Sequence, residues 1–199
     1  MKSLPRFVIA AAAAACLISC SRSMHEDMGK RLETDGDIKG AIEEYRQAVT
    51  DAPKSIHAHT ILGQALLRSG ENRAAISEFQ EATKIDVKLP QSHVALGEAL
   101  VKAGDLNEAK DEFELAQIYD NKSAPAVRGL GLVLEKQGNI KGAEQKYRQA
   151  VEYAPDYADA HESLGVMLGR NGDAPGGRTE VEKAAALRSV ANKQDKSTN

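Results

Sequence analysis

The chain has 199 residues, 42% of them hydrophobic and 28% charged, with a formal net charge of −3 and aromatics at 4%. That balance leaves no basic footprint for nucleic acid. The prevalence of Ala, Leu, Glu, Lys, Gln and Arg, which lose little rotamer freedom in a helix, favours an all-α chain over a sheet. Both cysteines, Cys16 and Cys20, lie near the N-terminus, so the body of the chain offers no disulfide framework, thiolate metal site or cysteine nucleophile.

The first element in chain order is a short positive region, Lys2 and Arg6, followed by an unbroken apolar run of twelve residues from Phe7 to Ile18. A membrane-spanning helix needs about 20 apolar residues, so the run fits the apolar core of a secretory signal peptide instead. Its end, Leu17-Ile18-Ser19-Cys20, resembles the lipobox of bacterial lipoproteins. The resemblance implies cleavage after residue 19 and acylation of Cys20, and several acyl chains give a stable membrane anchor where one gives only marginal binding. Loss of residues 1–19 would take Lys2 and Arg6 with it and move the formal charge from −3 to −5. Residues 20–23 then form a lipidated N-terminus and short linker, with capping-box spacing at Ser23-Met24-His25-Glu26 to start the first helix.

From residue 22 the sequence repeats every 34 residues without gaps, in units starting at 22, 56, 90, 124 and 158. The eighth place of each unit is Gly29, Gly63, Gly97, Gly131 and Gly165, preceded by Met28, Leu62, Leu96, Leu130 and Leu164. The fifteenth is Gly36, Gly70, Gly104, Gly138 and Gly172, a helix stop. After it Asp37, Asp105, Asn139 and Asp173 are placed to N-cap a second helix. The twentieth place holds Ala41, Ala75, Ala109 and Ala143, then Gly177, and the twenty-fourth Tyr45, Phe79, Phe113, Tyr147 and Val181. Within a unit, apolar residues such as Leu96, Leu100 and Ala103 recur at helical spacing. Each hairpin is too small to bury its own apolar face, so neighbours must stack. In the fifth unit Pro175-Gly176-Gly177 should loosen the second helix, and residues 192–199 suggest a polar disordered tail.

This pattern resembles the tetratricopeptide repeat (TPR) family. The resemblance implies an α-solenoid of five helix-turn-helix hairpins over residues 24–191, in an open right-handed superhelix. Small TPR lipoproteins that act as pilus or secretin pilotins share this plan.

Several side chains invite a chemical reading. His25, His59, His93 and His161 share the fourth place of their units. Successive units separate these rings, so half-buried packing is expected and no metal site. Arg68, Lys102, Lys136 and Arg170 recur near the first-helix ends, where cations favour the macrodipole and can also read an acidic ligand. Carboxylates, Glu112 among them, are expected on solvated faces at charge-pair spacing. No phosphate loop, Ser/His/Asp order or metal motif stands out, so the expectation is a protein that is not an enzyme, with no cofactor and no small-molecule substrate.

In the family that this chain resembles, the first helix of each hairpin lines a concave face. The matching residues include Gln64, Leu67, Val94, Glu98, Val101, Arg128, Leu132, Glu135 and Val166, with Arg68, Lys102 and Lys136 alongside. Their expected occupant is another protein or a peptide segment with apolar anchors and some acidic character. The expected setting is the bacterial cell envelope, lipid-anchored at the outer membrane and facing the periplasm. The function implied is a scaffold in envelope assembly, pilus or secretion-system biogenesis included. The alternatives are a periplasmic peptide-binding module and a regulatory subunit of an envelope enzyme.

Overall fold

The computed structural model describes residues 21–197. The expected signal peptide, residues 1–19, and Cys20 lie outside them. The described residues are all-α. Helix α1 covers 21–34. It is followed by α2 (Ile38–Asp51), α3 (Ile56–Ser69), α4 (Asn72–Ile85), α5 (Pro90–Ala103) and α6 (Leu106–Tyr119), then α7 (Ala124–Lys136), α8 (Ile140–Tyr153), α9 (Ala158–Arg170) and α10 (Ala174–Ser197). The first helices of units two to five start at 56, 90, 124 and 158, as the period requires. Consecutive helices pair as antiparallel hairpins. The chain divides into two compact units, Met1–Lys88 and Leu89–Asn199. The first holds hairpins one and two, and the second holds hairpins three, four and five. Among the described residues no helix is long and apolar enough to cross a membrane.

Two glycine positions build each hairpin. At the fifteenth place φ lies between +81° and +94° in all five units. This is the left-handed region that a Cβ disfavours, so the first helix stops there each time. At the eighth place the requirement is space. A Cβ on Gly63 would lie 2.8 Å from the ring of Phe79, and one on Gly97 2.7 Å from the ring of Phe113. Gly29 and Gly131 meet Tyr45 and Tyr147 in the same way. The rings at place twenty-four are fully buried, as is the alanine at place twenty in the first four hairpins. Every hairpin of these four is therefore an aromatic ring laid on a bare helix backbone.

The second helices are capped where the residue three places on is glycine. Asp37 accepts from the Gly40 amide (2.9 Å), Asn139 from Gly142 (3.1 Å) and Asp173 from Gly176 (3.0 Å). Asp105, an expected cap, makes no such bond, and Glu108 stands at that third position. A Cβ on Gly40 would come within 2.5 Å of the Asp37 carboxylate, and one on Gly142 within 2.8 Å of the Asn139 amide. With the capping residue at ψ near 74°, this close approach needs glycine.

Three expectations at the chain's ends are corrected. Helix α1 already includes residues 21–23, so Ser23 is not a capping box and no linker follows residue 20. Ser21 instead donates to Asp51 at 2.7 Å. The fifth hairpin is not loosened. Pro175 sits in the first turn of α10, where its missing N–H costs nothing, and Gly176 serves the cap. Gly177 lets the two backbones close up, a Cβ there lying 2.7 Å from the Gly165 carbonyl oxygen. Finally, α10 runs on to Ser197, through most of the stretch suggested as a disordered tail. Ala184-Ala185-Ala186-Leu187 leads into it, and no Gly or Pro follows to break the helix.

Candidate functional site

The four in-register histidines are not exposed ligands. Each Nδ1 meets a carboxylate nineteen residues on, on the second helix of the same hairpin. The pairs are His25–Glu44 (2.6 Å), His59–Glu78 (2.7 Å), His93–Glu112 (2.7 Å) and His161–Glu180 (2.5 Å). The other nitrogen of His59 donates to the Pro53 carbonyl (3.1 Å), and that of His161 to the Pro155 carbonyl (2.9 Å). His93 also stacks on Tyr119 at 5.5 Å. Glu112, expected on a solvated face, is therefore a structural partner of a buried ring. Hairpin four exchanges both members at once, with Val127 in the histidine's place and Lys146 in the glutamate's. The rings are spread one to a hairpin, and among the described residues no group of His, Cys, Asp or Glu is gathered to hold a metal ion.

A second pairing runs through the twelfth place, on the face expected to be concave. Where the buried ring is tyrosine, that place is glutamate. Tyr147 donates to Glu135 at 2.7 Å, and the same carboxylate pairs with Arg170 of the next hairpin. In the first unit Glu33 pairs with Arg68 at 2.9 Å. Burial, with Glu33 close by, pushes the Tyr45 hydroxyl up to about 12. Burial and Glu135 likewise raise Tyr147. Where the ring is phenylalanine, no hydroxyl needs an acceptor, and the twelfth place is Leu67 or Val101. Both are half-buried.

The remaining candidates divide between the units. In the first, Gln64 is exposed and Leu67 half-buried on α3, and Arg68 is held by Glu33. In the second, Val94, Glu98 and Val101 are half-buried on α5, as is Leu132 on α7, while Lys102 and Lys136 are exposed. Arg128 is not a free cation at the rim. Its guanidinium reaches Glu98 on α5 (3.1 Å) and Ser163 on α9 (3.2 Å), clasping three successive first helices. Burial opposes its charge, but Tyr157, Glu98 and Asp159 outweigh that and hold its pKa above the usual arginine value. Arg188 extends this charged layer with bonds to Asp159 (2.7 Å) and Glu162 (2.6 Å). Beside the exposed cations, the first helices of this unit carry half-buried apolar residues, Val94, Val101 and Leu132, the last packed partly on the core of hairpin four, with Val166 44% exposed beyond them.

Reading positions one at a time misses these partners. The signal that finds them is variation between units at paired places, His with Glu against Val with Lys, and Tyr with Glu against Phe with Leu or Val.

Family models described as "Tetratricopeptide repeat" match residues 26–93 and 90–122, and one described as "TPR repeat" matches 131–172. No curated protein matches the sequence. Among solved structures, TTC0263, a thermophilic TPR protein in Thermus thermophilus, superposes with a TM-score of 0.72 at 19% identity, over 86% of this chain and 97% of that one. Pseudomonas aeruginosa pilF gives 0.67 at 16% identity, over 89% of this chain and 87% of that one. YrrB, a TPR protein with an unusual peptide-binding site, gives 0.53 at 18% identity, over 83% and 85%. At these identities the likeness is one of fold.

Proposed function

The chain is a tetratricopeptide-repeat protein, a protein–protein interaction scaffold, and from that premise we propose that it is anchored to a bacterial membrane through Cys20 and holds a partner in envelope assembly. The observation that carries the binding half is the unpaired apolar set on the first helices of the second unit, Val94, Val101 and Leu132. Arg128 beside it is held by Glu98 and Ser163, so dissociation of a partner would be governed mainly by apolar contact. A partner segment with apolar anchors fits that surface. The anchoring half rests on the Leu17-Ile18-Ser19-Cys20 motif behind the apolar run. The envelope role, pilus or secretion-system biogenesis included, draws on the resemblance to TPR pilotins and on pilF as a fold neighbour.

The test has two arms. Cys20→Ser should move the protein from the detergent phase to the aqueous phase, and a free thiol at Cys20 in the wild type would end the anchoring proposal. Separately, Val101→Asp with Leu132→Asp should leave the chain helical and abolish capture of its crosslinked partner. If every partner is retained, the first-helix face is not the binding surface.

A further inference from the structure

The end of the fifth hairpin carries a cleft of about 450 Å³ between α9 and α10. Its floor is backbone, at Gly165, Gly169 and Gly177, and Val166, Val181 and Arg178 form its walls. The unit has lost the side chains that fill this place elsewhere. Val181 stands for the aromatic ring, Gly177 for the alanine at place twenty, and Gly169 for the glutamate, leucine or valine at place twelve. Val166 and Val181 are left 44% and 43% exposed. The glycines close the helices on each other, so the hairpin is well packed and its outer crevice is still open.

Hairpin four shows what belongs in such a crevice. There the equivalent surface, with Ala143 and Tyr147, is covered by Leu164, Met167 and Leu168 of α9, all buried. These residues follow i, i+3, i+4 spacing, one stripe of an amphipathic helix. Arg170 of the same helix pairs with Glu135 beside it. Hairpin five presents the same crevice with nothing laid on it among the described residues, since α10 continues straight to Ser197.

We propose that this cleft is a second docking site, which receives an amphipathic helix of a partner protein as though it were the next first helix of the stack. The inference rests on the scaffold reading but uses a different surface from the first-helix face. The occupant carries large apolar residues at i, i+3 and i+4, bulkier than leucine at the central place, because the floor is glycine where other hairpins have side chains. A second copy of this chain is a poor occupant. In α1 the place of Met167 is taken by Arg31 and that of Leu164 by Met28. Stacking α1 on the cleft would bury an arginine where hairpin four buries a methionine that is 0% exposed.

The probe is a labelled peptide of residues 157–172, the segment that fills the crevice of hairpin four, with Met167→Phe in the peptide. A control peptide carries Ser at 164, 167 and 168. Fluorescence anisotropy with the full chain should show binding of the first and at least tenfold weaker binding of the second. The blocking variant is Gly169→Leu. A Cβ at Gly169 meets nothing within 4 Å, so the variant should fold as the wild type does and lose at least tenfold in peptide affinity. Val101→Asp with Leu132→Asp should bind the peptide unchanged, which separates this site from the first-helix face. No peptide binding by the wild type, or equal binding by Gly169→Leu, overturns the proposal. So does reversible self-association that Gly169→Leu abolishes, since the occupant would then be a second copy.

Discussion

Glu180→Ala tests whether the histidine–glutamate pairs support the hairpins. His161 is 0% exposed at its side chain and has two partners, Glu180 and the Pro155 carbonyl. Removing the carboxylate leaves the Nδ1 of a buried imidazole without its protein partner. An orphaned buried polar group of this kind costs about 1–3 kcal/mol. In a chain of this length each kcal/mol moves the melting temperature by about 2–4 °C. A matched control is Glu114→Ala, whose carboxylate is 49% exposed and paired one turn away with Lys110. It should stay within about 0.5 kcal/mol. The reverse deletion, His161→Val, should cost less than Glu180→Ala in polar terms, because Glu180 is 22% exposed and water can replace its lost partner. Hairpin four supplies the compensated form, Val127 with Lys146. The double variant His161→Val, Glu180→Lys should thus recover much of what Glu180→Ala loses. Urea and thermal unfolding of the full chain measure all four. Equal midpoints for Glu180→Ala and Glu114→Ala would refute the reasoning.

Gly97→Leu should lower stability by about 1–3 kcal/mol or more through overpacking against Phe113, while Gly169→Leu should match or exceed the wild type, because leucine is the better helix former. Circular-dichroism melts compare the two. Alkaline titration followed by tyrosine absorbance should find Tyr45 ionising near 12, well above its ordinary 10. Since the folded value is raised, this stability is fully present below about pH 10 and is lost as pH climbs toward 12, so the melting temperature should fall across that window. Tyr45→Phe should remove that part of the slope.

The architecture was legible because backbone conformation and close approach dictate it locally. A glycine at φ near +87° in Gly70, or under the ring of Phe79, is required by its own position, and a 34-residue period repeats the requirement five times. Side-chain partners are pairwise, and a single column of the repeat does not reveal them. Glu112 looks like any surface carboxylate until His93, nineteen residues earlier, is known to lie beneath it. Arg128 looks like a cation free to steer a ligand until Glu98 and Ser163, on the helices either side, are seen to hold it. The meaning of Leu67 changes in the same way. Alone it suggests an apolar anchor for a partner, but in a hairpin whose ring is Phe79 it stands where Glu33 serves Tyr45. Two demands then act on one position, and only binding data on a variant that keeps the hairpin packed can separate them. Val101→Asp puts a charge at a half-buried place. Val101→Thr, nearly isosteric, is the gentler probe. If the face binds through apolar contact, Val101→Thr should weaken partner capture while leaving the melting temperature nearly unchanged. A melting temperature that falls as steeply as capture would place Val101 in the core and leave Leu132 and Val166 to carry the binding.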